Sequence, residues 1–358
     1  MNSLRSAARW LTALLVLLAA CASQGPPPLP AVAPPPVVPP SPWAAADRRG
    51  EEASEDVASS VRGLASYLTE GLPTEEERVR AIFRWMTAHI RYDLKGLESS
   101  EYGDLSPEAV LKRRSAVCEG YSGLFESLVE AAGFEVALIP GFAKGVGYSA
   151  GAEVPLSFNH AWNAVKVRGE WKLLDCTWGA GALNEMGEYV AGFDPFYFFT
   201  PPEEFIYSHF PSDSQWQLLA EPMSRKAFEG LPMLKPSFFV CGLRLQNPNA
   251  GHLKERGPIF DLPVTVPAGV QVKASLLQGE KPIGEGFARL VGSPEGQHMQ
   301  VLFPAPGTYT VRVFAARGQS PPLLDWAADL LVTSETGSGG RDFNALEDPR
   351  AGKKASTK

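Results

Sequence analysis

The sequence predicts an α+β domain, with helices packed on an antiparallel sheet, followed by a separate β-sandwich. Three observations carry this reading. Apolar residues recur at helical spacing from about Ser54 to Ala132. From Phe134 to Trp178 the pattern changes to strands joined by a tight turn. Beyond Ser237, short and often alternating strands are separated by Gly and Pro turns.

The chain begins with Arg5 and Arg9, the apolar run Leu11 to Ala20, and then Cys21. A basic start, a short apolar core and small residues at the boundary make residues 1–20 a secretory signal, too short for a stable membrane span. Leu18-Ala19-Ala20-Cys21 resembles a bacterial lipobox, so Cys21 is the expected lipid anchor. This places the chain in a bacterial cell envelope, held to a membrane by its N-terminal lipid. Ala22 suggests the outer membrane, facing the periplasm or the cell surface. Residues 21–50 are assigned to the lipidated cysteine and a linker dominated by proline from Gly25 to Pro42. At about 3.1 Å per residue, a polyproline II spacer of that length reaches on the order of 50 Å.

The first domain is expected over residues 51–233. Val57, Val61, Leu64 and Leu68 share one helical face, with Gly71 as a stop. Thr74 followed by Glu77 is a capping-box pattern that opens a second helix with the stripe Val79, Ile82, Phe83, Met86 and Ile90. His89 reads as a surface or half-buried residue, and Tyr92 as a packing tyrosine. Ser106-Pro107-Glu108 starts a short helix that Lys112-Arg113-Arg114 closes. A longer helix runs from about Cys118 to Ala132, and Gly133 ends it. Cys118 therefore sits where unpaired amides and the helix dipole favour a thiolate. Gly120 and Gly123 remove side chains beside it.

Phe134 to Ile139 and His160 to Val167 read as strands, Arg168-Gly169 as a tight turn, and Trp171 to Trp178 as the returning strand. His160 lies 42 residues beyond Cys118, and Asp175 lies 15 beyond His160, a spacing that suits neighbouring strands of a hairpin. A thiol, an imidazole and a carboxylate in this order form a nucleophile, a base and an orienting acid. The aromatic block from Asp194 to Pro211 reads as a docking element over the core, with His209 packed inside it.

A second domain is expected over residues 234–333. Its strands are Phe238-Phe239-Val240, Val270 to Leu276, Gly286 to Leu290, His298 to Phe303 and Tyr309 to Ala315. Residues 334–358 are rich in Gly, Ser and charge and read as a disordered tail.

Composition narrows the function classes. Net charge is −7 with no basic cluster, which argues against a nucleic-acid partner. With Cys21 lipidated, Cys118, Cys176 and Cys241 remain, an odd number that does not suit a disulfide framework. Cys176 and Cys241 are expected to pack as small apolar residues. There is no Cys-x-x-Cys and no closely spaced His pair, so neither a metal nor another cofactor is expected.

Three segments carry a family resemblance: Cys118-Glu-Gly-Tyr, Asn159-His-Ala-Trp-Asn and Leu174-Asp-Cys-Thr-Trp-Gly. With the block from Phe196 to Pro211 and Trp216-Gln-Leu-Leu, the chain resembles the transglutaminase-like superfamily. The likeness is to its kyphoscoliosis peptidase and cytokinesis-protein branch, over roughly Val57 to Val332. That resemblance implies a papain-like core, an immunoglobulin-like second domain, and Cys118, His160 and Asp175 as the catalytic triad. It departs from many relatives in placing Cys176 directly after the acid. The implied activity is cleavage or transfer of peptide or amide bonds through a thioester, on an envelope protein or peptide. A non-catalytic envelope scaffold is the competing reading, because some members of the branch lack the cysteine.

Overall fold

Helix formation begins earlier than the sequence suggests. In the computed structural model, which describes residues 41–347 except Val146, Leu156, Glu185, Glu280 and residues 248–250, 294–295 and 319–322, helix α1 spans Ala44–Glu51. The sequence alone places all of this segment but Glu51 in the linker. Its polar run hides a small face: Ala46 is buried, and a Cβ on Gly50 would meet Ala81 O and Trp85 N at 2.7 Å. Two helices can therefore approach closely, and Arg80 clamps the contact by donating to Asp47 at 2.6 and 3.2 Å. The signal segment, Cys21 and the linker through residue 40 lie outside the described residues.

Helix α2 (Val61–Thr69) is capped by Ser60, whose hydroxyl accepts from the Gly63 amide. Helix α3 (Glu75–His89) carries the full capping box, with Thr74 and Glu77 each receiving the other's amide. His89 is half-buried and stacks on Trp85. Helix α4 (Pro107–Arg113) has its proline in the first turn, and α5 (Cys118–Ala131) ends before Gly133, whose φ is +88°. The buried faces of α2, α3 and α5 join one hydrophobic core with the inner face of the sheet.

The sheet has five strands: β1 (Val136–Ala143), β2 (His160–Val167), β3 (Glu170–Leu174), β4 (Phe198–Thr200) and β5 (His209–Pro211). Their order is β4-β3-β2-β1-β5, and all neighbours are antiparallel. Arg168 and Gly169 join β2 to β3, with φ values of +51° and +81°, as a type I′ hairpin requires. The returning strand is shorter than expected. It stops at Leu174, and Asp175 caps a one-turn helix, Cys176–Gly179. The aromatic block does more than cover the core: it supplies both edge strands, β4 and β5.

The sandwich contains β6 (Met233–Leu234), β7 (His252–Glu255), β8 (Ile259–Asp261), β9 (Val270–Gln278), β10 (Lys281–Pro282), β11 (Ala288–Ser293), β12 (Gly296–Leu302), β13 (Gly307–Arg317) and β14 (Asp325–Ser334). One sheet runs β6-β14-β13-β9-β10, with β7 also paired along β14; the other runs β8-β12-β11. Phe238-Phe239-Val240, expected as a strand, belongs instead to the helix Pro236–Val240. Pro236 starts that turn, and the burial of Phe238 beside an exposed Val240 shows none of a strand's two-sided demand. The expected tail is ordered as far as residue 347. The Ser338 amide donates to Phe303 O at 2.8 Å, and the helix Phe343–Glu347 seats Phe343 under Arg289. Glycine permits this approach, since a Cβ on Gly337 would lie 2.3 Å from the Ala305 backbone.

One glycine bears directly on the site. Gly141 pairs with His160, and a Cβ there would meet the Trp162 ring at 2.3 Å and Phe210 O at 2.5 Å. The Trp162 ring is fully enclosed and Phe210 O belongs to the backbone of β5, so neither gives way without disturbing its surroundings. Gly141→Ala is therefore expected to lower unfolding stability by about 1–3 kcal/mol in denaturant titration.

Candidate active site

Cys118 occupies the first turn of α5, which Val117 precedes without any side-chain cap. The adjoining amides are those a helix start leaves without intrahelical partners. Two contacts fix this helix end. The Tyr121 hydroxyl donates to Ile90 O, and Asn163 of β2 donates to Ser122 O at 3.1 Å. The second contact ties the strand that starts with His160 to the helix that starts with Cys118. Gly120 closes the helix onto Ala116 and Val110, while Gly123 has open space beside it.

The structure brings Cys118, His160 and Asp175 together. His160 Nε2 lies 2.7 Å from Asp175 Oδ2, which leaves Nδ1 as the nitrogen for the thiol. The Cys118 sulfur is within hydrogen-bonding reach of the His160 ring and of the Ala161 amide. Asp175 is completely buried. Its Oδ1 accepts from the amides of Thr177 at 2.7 Å and Trp178 at 3.0 Å, so the cap of the short helix also aims the carboxylate.

These contacts set the charges. Burial pushes the Cys118 thiol up, but the hydrogen bond and charge of His160 and the Ala161 amide outweigh it, and the thiol ends below its ordinary value. Burial disfavours a charged His160, yet the adjacent Asp175 carboxylate raises its pKa to about 10. Asp175 itself is held well below the usual carboxylate range: burial opposes this, and the two imidazoles overcome it. The arrangement favours a thiolate–imidazolium pair resting on a permanent carboxylate.

A second imidazole reaches the same carboxylate. His209 Nε2 lies 3.2 Å from Asp175 Oδ2, and its Nδ1 lies 2.8 Å from Ser208 Oγ. Sequence reading placed His209 only as a packing residue. Its 34-residue separation from Asp175, inside an aromatic run, offers no pattern that would reveal the contact. Likewise the Ala161 amide is a backbone group and leaves no trace in a sequence. Tyr92 is half-buried against Tyr189. Cys176 and Cys241 are buried and free, and burial raises both thiols.

His160, Asp175 and His209 each offer one atom within 4.8 Å of the others, a composition that also suits a metal. The geometry is that of a hydrogen-bonding hub. Both Nε2 atoms address one carboxylate oxygen, which calls for a proton on each nitrogen and not a lone pair aimed at a shared ion.

Comparison with known proteins agrees with the architecture. Residues 62–176 match the core of the transglutaminase-like superfamily, and residues 225–339 match the KY-like, immunoglobulin-like domain. The kyphoscoliosis peptidase of Mus musculus is 32% identical over 260 residues, covering 72% of this chain and 39% of that protein. The Homo sapiens kyphoscoliosis peptidase is 32% identical over 272 residues, covering 74% and 39%. Hillarin of Drosophila melanogaster is 31% identical over 223 residues, covering 57% and 26%. The chain thus spans well under half the length of these relatives. With helices on an antiparallel sheet and a β-sandwich behind them, this chain carries a transglutaminase-like core followed by a KY-like, immunoglobulin-like domain, and it is homologous to the kyphoscoliosis peptidases.

Proposed function

We propose that the chain is a cysteine enzyme that opens peptide or amide bonds through a thioester on Cys118. The observation that supports this most directly is the placement of His160 between the Cys118 sulfur and the Asp175 carboxylate. In the first step the Cys118 thiolate attacks the carbonyl carbon, and the developing oxyanion is stabilised by first-turn amides of α5. The carbon–nitrogen bond then breaks, and His160 gives its proton to the departing amine. The thioester is resolved by a nucleophile that returns a proton to His160 and frees the thiolate. Water yields a carboxylate and makes the enzyme a peptidase or amidase; an amine yields a new amide and makes it an acyltransferase. Hydrolysis is the favoured outcome, since transfer needs a second site that holds an amine against the thioester and water needs none.

The substrate reading follows from the address in the sequence. If residues 1–20 are a signal and Cys21 is lipidated, the enzyme acts from the surface of an envelope membrane on proteins or peptides there. Mass spectrometry of envelope material incubated with wild-type and Cys118→Ala protein tests both activity and substrate class. New termini that require Cys118 would show hydrolysis, and isopeptide cross-links would show transfer. Identical products from the two proteins would sink the enzymatic reading and leave a scaffold.

The charge state can be checked without a substrate. With the Cys118 pKa depressed, the thiolate persists as pH falls below the ordinary thiol value of about 8.5, so alkylation by iodoacetamide remains fast near neutrality. His160→Ala removes the stabilising charge and leaves burial to push the thiol upward. Alkylation of Cys118 at pH 7 should then slow by about tenfold or more, as a rise of one pKa unit requires. Equal rates in the two proteins would contradict the proposed ion pair.

A further inference from the structure

Asp175 is shared. The residue that shares it, His209, comes from the edge strand β5 and touches no reacting atom. Its side chain is completely buried, stacked on Phe205 at 4.0 Å between ring centres, with Trp178 at 4.5 Å and Trp162 at 5.0 Å. A histidine enclosed by aromatic rings needs a reason not to be phenylalanine, because each buried ring nitrogen must find a partner.

Both nitrogens have one, and together they define the tautomer. Asp175 Oδ2 is anionic, so the nitrogen facing it, Nε2, must carry a hydrogen. Burial holds His209 neutral, with its pKa lowered to about 4, so Nδ1 carries none and accepts from the Ser208 hydroxyl. Ser208 Oγ also lies 3.3 Å from Phe205 O, but the shorter contact, at 2.8 Å, is the one to His209.

We propose that His209 is a positioning residue: a fixed neutral donor on Asp175 Oδ2 that holds the carboxylate for His160 and limits how strongly it retains the His160 proton. A carboxylate with no second donor on Oδ2 would bind the imidazolium more tightly and release its proton less readily to a leaving amine. Few other titrating groups surround this hub among the described residues. Asp175 and His160 contact His209 or its acceptor, Tyr197 lies 6.3 Å away with its hydroxyl kept neutral by burial, and Cys118 stands beyond His160. Lys144, which follows β1, turns its nitrogen onto the carbonyls of Phe228 and Leu231 and lies near Glu229.

This inference rests on the ion pair of the preceding section, and the test separates the two. The readout is the pH profile for alkylation of Cys118 by iodoacetate in the full chain, followed by peptide mass spectrometry. Iodoacetate is an anion, so its rate rises as the thiolate forms and falls as the His160 imidazolium is lost. A wild-type profile without an acid-side thiolate limb would count against the ion pair itself. Given that limb, His209→Phe keeps an aromatic ring but no donor, and its alkaline limb should move up by roughly one pH unit, the size of one hydrogen bond to a charged group. His209→Gln, whose amide N–H can donate from a similar position, should restore the wild-type limb. Ser208→Ala removes only the partner of Nδ1 and should shift the limb in the same direction by a smaller amount. Thermal melts show which variants are folded. If the Phe variant does not fold, the Ser208→Ala shift decides. An unshifted limb in the folded His209→Phe or Ser208→Ala variant, or a Gln variant shifted as far as the Phe variant, would overturn the proposal.

Discussion

A full negative charge with no access to water organises this molecule. Isolated, an ionised carboxylate at that depth would be prohibitively unfavourable, and it would take up a proton. Asp175 remains ionised because four donors converge on its two oxygens: the amides of Thr177 and Trp178 on Oδ1, and the imidazoles of His160 and His209 on Oδ2. The four donors arrive on three pieces of chain, so satisfying this one group forces the short capped helix, strand β2 and edge strand β5 to meet. The aromatic side chains around it, Trp162, Trp178, Tyr197 and Phe205, exclude solvent and strengthen every interaction inside.

This constraint explains why the aromatic block is part of the core sheet and not a layer laid over it. Its first part adds β4 beside β3, and its last part adds β5 beside β1. The chain between them crosses the end of the sheet and carries Phe205 and His209 to the carboxylate. The same block reaches the second domain. Phe196 stacks on Phe239 at 5.5 Å, and Tyr207 contacts the same ring, which lies on the helix Pro236–Val240. Lys144 adds a polar link, donating to two carbonyls of the segment that leads into the sandwich. Residues that shape the site are thus continuous with those that anchor the neighbouring domain.

Two of the misread segments share one cause: closeness between backbones is not written in local composition. Residues 44–51 look like the end of a linker because Asp47, Arg48 and Arg49 dominate them, yet Ala46 and Gly50 make a face narrow enough for two helices to touch. Residues 335–347 look like a solvated tail because they are rich in Gly and Ser, yet glycine is what lets that segment lie on Ala305. Phe238-Phe239-Val240 has the composition of a strand, but Pro236 begins a helical turn there. For residues 44–51 and 335–347 the partner lies far away in sequence, and only its surface decides the outcome.

What the sequence determined by itself was whatever depends on near neighbours. The Thr74 capping box, the amphipathic stripe of α3, the Cys118 helix start and the Arg168-Gly169 hairpin each involve residues a few positions apart, so their physics is local. The spacing of His160 and Asp175 was readable for the same reason, because a short hairpin sets two strands side by side. Only the tertiary structure decided how Cys118 approaches that hairpin, through Asn163 pinning β2 to α5, and that His209 joins the same carboxylate. Those contacts span long stretches of chain. They exist because a buried charge must collect its donors from wherever the fold can supply them.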